Sequence, residues 1–272
     1  MYEDVLVATD GSDVATTAAA QGIAIADAVG ATVHVLSVVG SRSDVDRSRH
    51  EAFVESVAND AADAGCSVET AVREGRPSRE ILAHADEEAV DLLVMGTHGR
   101  TGIRQTLLGS VALEVIRQAR LPVLTVSADA SDVSREIDDV LVATDGWSGS
   151  VAATEQALAL ADAFDARLHA LYAVDVSPEL DDVLESFEEH GKQTTMDVVD
   201  RARERGIEAT RTVERGEPHE TILAYADEED VDLLVLGTES KSTIERLVIG
   251  SVSQRVVPNA TTPVLTVRTL EE

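Results

Sequence analysis

The sequence predicts an α/β fold present twice in tandem. Two observations carry this: an internal repeat, and an alternation of short apolar runs with helical patterns inside each half. Asp4-Val-Leu-Val-Ala-Thr-Asp-Gly11 returns unchanged as Asp139-Val-Leu-Val-Ala-Thr-Asp-Gly146. Ala85–Thr97 returns as Ala226–Thr238, and the halves close on Leu-Pro-Val-Leu-Thr-Val (121–126) and Thr-Pro-Val-Leu-Thr-Val (262–267). The offset between copies grows from 135 (145 − 10) to 141 (237 − 96), so an insertion lies between these blocks. Repeats of this kind set the architecture before any single residue does. They imply two homologous domains, 1–129 and 136–272, joined by a polar linker near Asp129–Glu136.

The elements of the first half follow in order. Asp4–Thr9 is a short apolar run and reads as a strand, and the alanine-rich stretch Asp13–Val29 reads as a helix. Thr32–Val39 is a second strand and Arg47–Ala64 a second helix. Ser67–Arg73 is a third strand, followed by a helix over Ser78–Glu88. Leu92-Leu-Val-Met95 is nearly continuous in apolar residues, as in a strand covered on both faces. A helix over Val111–Ala119 and a strand over Val123–Val126 complete the half. Such βαβ alternation builds a parallel sheet. The acidic stretch Glu185–Glu189 of the second half reads as a solvated helix face or loop.

Composition narrows the function classes. Aromatic residues are 3% of the chain against 44% hydrophobic, so the core must be built from Ala, Val, Leu and Ile. A formal charge of −29 argues against nucleic acid or an anionic membrane as partner, because both require a basic face. Lys192 and Lys241 are the only lysines. An excess of carboxylates with almost no lysine suits molar salt, where the Debye length falls to about 3 Å and self-repulsion is screened; a halophilic source is expected. The uncharged stretches Val14–Ala26 and Val29–Ser41 are too short to cross a bilayer as helices. The acidic Met1-Tyr2-Glu3-Asp4 does not suit a secretory signal, so the expectation is a soluble cytoplasmic protein. Cys66, the only cysteine, excludes an internal disulfide and a cysteine-cluster metal site.

In open parallel sheets ligands sit beyond the carboxyl ends of the strands, where the winding reverses. Two strand ends here carry the relevant residues: Ala8-Thr9-Asp10-Gly11, and Met95-Gly96-Thr97-His98-Gly99 with Gly109-Ser110 just before a helix. Gly96, Gly99 and Gly109-Ser110 spell G-x2-G-x9-G-S. Glycines let backbone amides approach an anion and permit positive φ, and a helix start favours phosphate oxygens. Arg100 and Arg104 add local positive charge. No G-x4-G-K-[ST] loop, metal-ligand cluster or Ser/Cys–His–acid set is evident, so no catalytic or metal-ligating residue is assigned.

These three features, V-A-T-D-G at the first strand, G-x2-G-x9-G-S, and P-V-L-T-V at the last strand, closely resemble the universal stress protein family in its tandem, haloarchaeal-like form. The resemblance covers nearly the whole chain. It implies two Rossmann-like domains, each a five-stranded parallel sheet in the order 3-2-1-4-5 flanked by helices. It also implies an ATP site: Ala8, Thr9 and Asp10 lining the adenosine pocket with Asp10 facing ribose hydroxyls, and the backbone of Val35 reading the adenine edge. Met95 and Gly96 would pack near the ribose, while His98, Gly99, Gly109, Ser110 and Val111 would surround the phosphates. Ala112 stands where some members carry a hydroxyl. Mg²⁺ would arrive with the nucleotide.

The second half keeps Thr144, Asp145, Gly237, Gly250, Ser251 and Val252 at matching places, a weaker second site. Its loop reads Gly237-Thr-Glu-Ser240, placing Glu239 and Ser240 where the first half has His98 and Gly99. Were left-handed geometry needed there, a non-glycine would cost roughly 1–2 kcal/mol. Ser251 and Gln254 form a capping pair that accounts for both without a ligand. Trp147, near the second crevice mouth, reads as a loop anchor, the alternative being a residue that stacks on a base. The resulting expectation is an ATP-binding regulatory or stress-response module, at most a slow ATP hydrolase, with an unidentified protein partner. The second domain would pair with the first as protomers pair in single-domain relatives, or a homodimer would form. The alternative is an interaction scaffold that binds no nucleotide.

Overall fold

The computed structural model describes residues 1–40, 44–99, 108–130, 136–175, 181–238 and 250–268. The first strand, β1 (Asp4–Ala8), leads into α1 (Asp13–Val29), whose start is capped by Ser12: its hydroxyl accepts the Ala15 amide at 3.3 Å. Gly30 ends the helix at φ 71°, the left-handed conformation of a glycine C-cap. β2 (Thr32–Val39), α2 (Asp44–Asp63), β3 (Val68–Glu74), α3 (Pro77–Glu87), β4 (Leu92–Gly96), α4 (Ser110–Gln118) and β5 (Val123–Val126) follow. All pairings are parallel, in the order β3-β2-β1-β4-β5. The second unit repeats this with β6 (Asp139–Ala143), α5 (Ser148–Phe164), β7 (Arg167–Val174), α6 (Asp181–Glu204), β8 (Ala209–Arg215), α7 (Pro218–Glu228), β9 (Leu233–Gly237), α8 (Ser251–Val256) and β10 (Val264–Val267). Its order is β8-β7-β6-β9-β10, again all parallel. The units divide as Met1–Arg135 and Glu136–Glu272.

The central strands are buried on both faces: Val5, Leu6, Val7, Leu92, Leu93 and Val94 are all 0% exposed. This is why they read as continuous apolar runs. With few aromatics available, close helix–sheet contact does the filling. A Cβ at Gly22 of α1 would lie 3.1 Å from Val7 and Val94, so this glycine lets the helix settle onto β1 and β4. The loop entering each sheet is tied the same way in both units. Asp91 accepts the amides of Glu3 and Asp4, and Asp232 accepts those of Asp138 and Asp139.

The insertion falls between the second and third strands. The offset is 135 (167 − 32) at β2 and β7 and 141 (209 − 68) at β3 and β8. Helix α6 accordingly runs to 24 residues against 20 in α2. Glu185–Glu189 lies within α6 on a face open to solvent. No helix among the described residues is long and apolar enough to cross a membrane.

Candidate functional site

The order of strands places the reversal between β1 and β4, whose carboxyl ends leave a crevice because the chain departs from them on opposite sides. A cavity of about 440 Å³ fills that crevice. Ala8, Thr9 and Asp10 form one edge, Met95, Gly96, His98 and Gly99 another, and Gly109, Ser110 and Val111 close the far side. Ten of the eleven positions picked from sequence for the first domain are thus brought together. Val35 is not among them: it is fully buried in β2, opposite Val7, while Leu36 and Val38 supply the wall. Ala15, Pro77, Ile81, Thr97, Leu108 and Ala112 also line the cavity. Of these Thr97 and Ala112 carried a sequence signal, and Pro77 and Ile81 arrive through packing of α3. Arg100 and Arg104 lie outside the described residues.

The polar edge is held by local bonds. The Thr9 amide donates to the Leu36 carbonyl at 2.9 Å, which extends the β1–β2 ladder to the lip of the crevice. Gly11, at φ 71°, turns the chain out of β1, and its amide donates to Thr9 Oγ1. Asp10 Oδ1 accepts from Ser12 N at 3.1 Å and from Ser12 Oγ at 2.6 Å, so the carboxylate is fixed before the helix begins. Across the crevice Thr97 Oγ1 and His98 Nδ1 lie 2.9 Å apart.

The motif glycines serve close approach. A Cβ at Gly99 would lie 2.6 Å from Asp10 Oδ2, one at Gly109 2.7 Å from the Thr97 carbonyl, and one at Gly96 2.9 Å from Val14. None of the three has a positive φ. The left-handed strain expected for a serine at the second motif position therefore has no counterpart in Gly99, and steric crowding takes its place. Ser240 and Glu239 themselves lie outside the described residues.

Gly109 is the N-cap of α4, and no side chain caps this nine-residue helix. Ser110 is its first residue and is exposed. The first-turn amides thus point their unpaired N–H groups and the positive end of the helix dipole into the crevice mouth.

In the second unit Thr144, Asp145 and Gly237 stand at the ends of β6 and β9, with Gly250, Ser251 and Val252 at the start of α8. Gly250 is the N-cap and no side chain caps the helix, so the Ser251–Gln254 capping pair read from sequence is not formed. Asp145 accepts only the Trp147 amide among the corresponding turn bonds, because Trp147 replaces Ser12. Trp147 is 54% exposed.

A doubly wound α/β domain, present twice, with a glycine-lined crevice at the switch point of its first copy, is what these features define. Comparison with known proteins agrees. The Universal stress protein family matches residues 1–127 and 136–268, and the chain belongs to that family in a tandem two-domain form. A universal stress protein of Methanocaldococcus jannaschii is 35% identical over 139 residues, covering 47% of this chain and 81% of that protein. One from Mycolicibacterium smegmatis is 29% identical over 209 residues, 75% of this chain and 70% of the relative. The crystal structure of a universal stress protein from Archaeoglobus fulgidus superposes with a TM-score of 0.74 at 26% identity, covering 97% of this chain and 98% of that one.

Proposed function

We propose that the crevice of the first domain binds ATP, and that nucleotide occupancy is the signal of a cytoplasmic stress-response regulator. One observation carries the reading: an apolar-walled cavity of about 440 Å³ opens directly onto the uncapped start of α4. That volume lies within the roughly 300–1,000 Å³ of small-molecule sites. Leu36, Val38, Ile81 and Met95 offer a base an apolar slot, and Asp10 offers the ribose hydroxyls an oriented carboxylate. The amides of Ser110, Val111 and Ala112 suit phosphate oxygens. Mg²⁺ would come with the triphosphate, since Asp10 is the only carboxylate among the lining residues and no metal cluster flanks it among the described residues.

Replacing Ser110 by Glu separates binding from folding. An acidic residue in the first turn stabilises a helix by about 0.3–1 kcal/mol, whereas it repels a phosphate tail. Calorimetric titration with Mg·ATP is expected to show affinity lowered about tenfold or more, ~1.4 kcal/mol, with thermal stability unchanged or raised. Undiminished affinity refutes the site. Following phosphate release over many turnovers then distinguishes a binder from a slow hydrolase.

The charge of −29 with two lysines supports a halophilic origin. Self-repulsion should unfold the chain as salt is withdrawn. Circular dichroism from molar KCl to dilute buffer is expected to show that loss, and an invariant spectrum would remove this part of the reading.

A further inference from the structure

The opposite, amino-terminal end of the first sheet holds a second cluster of ionisable groups. His34, on β2, is 5% exposed. Its Nε2 lies 2.7 Å from Asp4 Oδ1, and its Nδ1 lies 3.7 Å from Glu69 Oε2. The Asp4 carboxylate can only accept, so Nε2 donates to it, and Nδ1 faces Glu69. Glu88, at the end of α3, brings a further carboxylate: ligand atoms of His34, Glu69 and Glu88 all lie within 4.8 Å of one another. Beside them His84 is 6% exposed, its ring 6.4 Å from that of His34, and its Nδ1 has no hydrogen-bond partner.

The second domain shows what a closed version of this place looks like. His169 occupies the position of His34 and makes the same Nε2 contact to Asp139, at 2.8 Å. Its Nδ1, however, is met by the Tyr225 hydroxyl at 3.0 Å, with Thr210 at 3.4 Å. Tyr225 stands where the first domain has His84, and Thr210 pairs with His169 as Glu69 pairs with His34. The first domain has thus exchanged a hydroxyl donor and a neutral neighbour for an imidazole and a carboxylate. Imidazole nitrogen and carboxylate oxygens at this spacing are held together by a proton or by a metal cation between them.

We propose that His34 Nδ1, Glu69 and Glu88 form a divalent-cation site of the kind zinc(II) fills. The Asp4–His34 pair is the carboxylate–histidine arrangement that orients a metal-bound imidazole. Nitrogen and oxygen donors at 2.0–2.2 Å from a tetrahedral zinc stand about 3.4 Å apart, close to the 3.7 Å between His34 and Glu69. Mixed imidazole and carboxylate ligands suit zinc or manganese better than calcium. The three ligands come from separate segments of chain, which is why no metal-binding spacing was legible in the sequence.

The test is equilibrium dialysis of the full chain against Zn²⁺ in a large excess of Mg²⁺, which occupies the acidic surface. Wild type is expected to retain one tightly held Zn²⁺ per chain. Outer partners of a metal site alone are worth about 10–100-fold in affinity, so losing a ligand should cost at least that. Glu88→Gln alters an exposed side chain, and the double variant Glu69→Thr, His84→Tyr installs residues the second domain already folds with. Both should lose Zn²⁺ affinity by about tenfold or more while keeping their circular dichroism. No retained Zn²⁺ in wild type, or retention unchanged in either variant, overturns the assignment.

Discussion

The two crevices are built on the same strands yet differ where their loops meet. In the first, Val14 and Ala15 face Gly96, and Ser12 holds Asp10 by two hydrogen bonds. In the second, Gly149 takes the place of Val14, and a Cβ at Gly237 would lie 2.7 Å from its backbone. Ser150, in the place of Ala15, accepts from Thr144 Oγ1 at 3.1 Å and donates to the Trp147 carbonyl at 2.9 Å. Thr144 and Ser150 of the second unit are thus bonded to each other, whereas Asp10 of the first lines a cavity. The helix beyond is nine residues in the first unit and six in the second. The same Asp and Gly at the strand ends thus stand among different hydrogen bonds in the two units.

The largest effect that would sharpen this contrast is at Gly109. Its Cβ would meet the Thr97 carbonyl at 2.7 Å, so Gly109→Ala must displace the start of α4. ATP affinity measured by calorimetry should fall about a hundredfold, ~2.8 kcal/mol. A value near wild type would mean that α4 does not hold the phosphates.

Ser12→Ala should act on stability. It removes the cap of α1, worth ~1 kcal/mol, along with the hydroxyl bond to Asp10. Trp147 supplies no side-chain cap to α5, so Trp147→Ala should stay within about 0.5 kcal/mol. Urea unfolding of the two variants measures the difference, and equal losses would erase the contrast between the loops.

The smallest effect concerns acid. Burial alone would raise the Asp139 carboxyl, but hydrogen bonds from Arg167 and His169 outweigh it and hold it below the usual carboxylate range. A depressed folded value stabilises above the unfolded one, and that stability is lost as pH falls through the folded value. The first domain has Thr32 where the second has Arg167. The stability gap between wild type and Arg167→Thr should be full at neutral pH and shrink below the ordinary carboxylate range. A gap independent of pH would show that Arg167 acts by packing alone.

Much of the molecule was legible from residues alone. The strand runs were clear because central strands buried on both faces must be continuously apolar, and the repeat fixed their number. The same burial left nothing to mark Leu36 and Val38 as wall, since every residue from Val33 to Ser37 is buried whichever face it takes. The spacing of the glycines was legible, but what crowds each one was not, since that depends on atoms brought in by folding, such as the Thr97 carbonyl against Gly109.

Sequence by itself determined the duplicated α/β architecture, the strand ends that carry the crevice, and the strong acidity of the chain. Periodicity and repetition are properties of neighbouring residues, so they survive in one dimension. Tertiary structure alone decided that α3 walls the cavity, that Ser150 bonds Thr144, and that His34, Glu69 and Glu88 converge. Those outcomes depend on packing distances between segments dozens of residues apart, which no local pattern encodes.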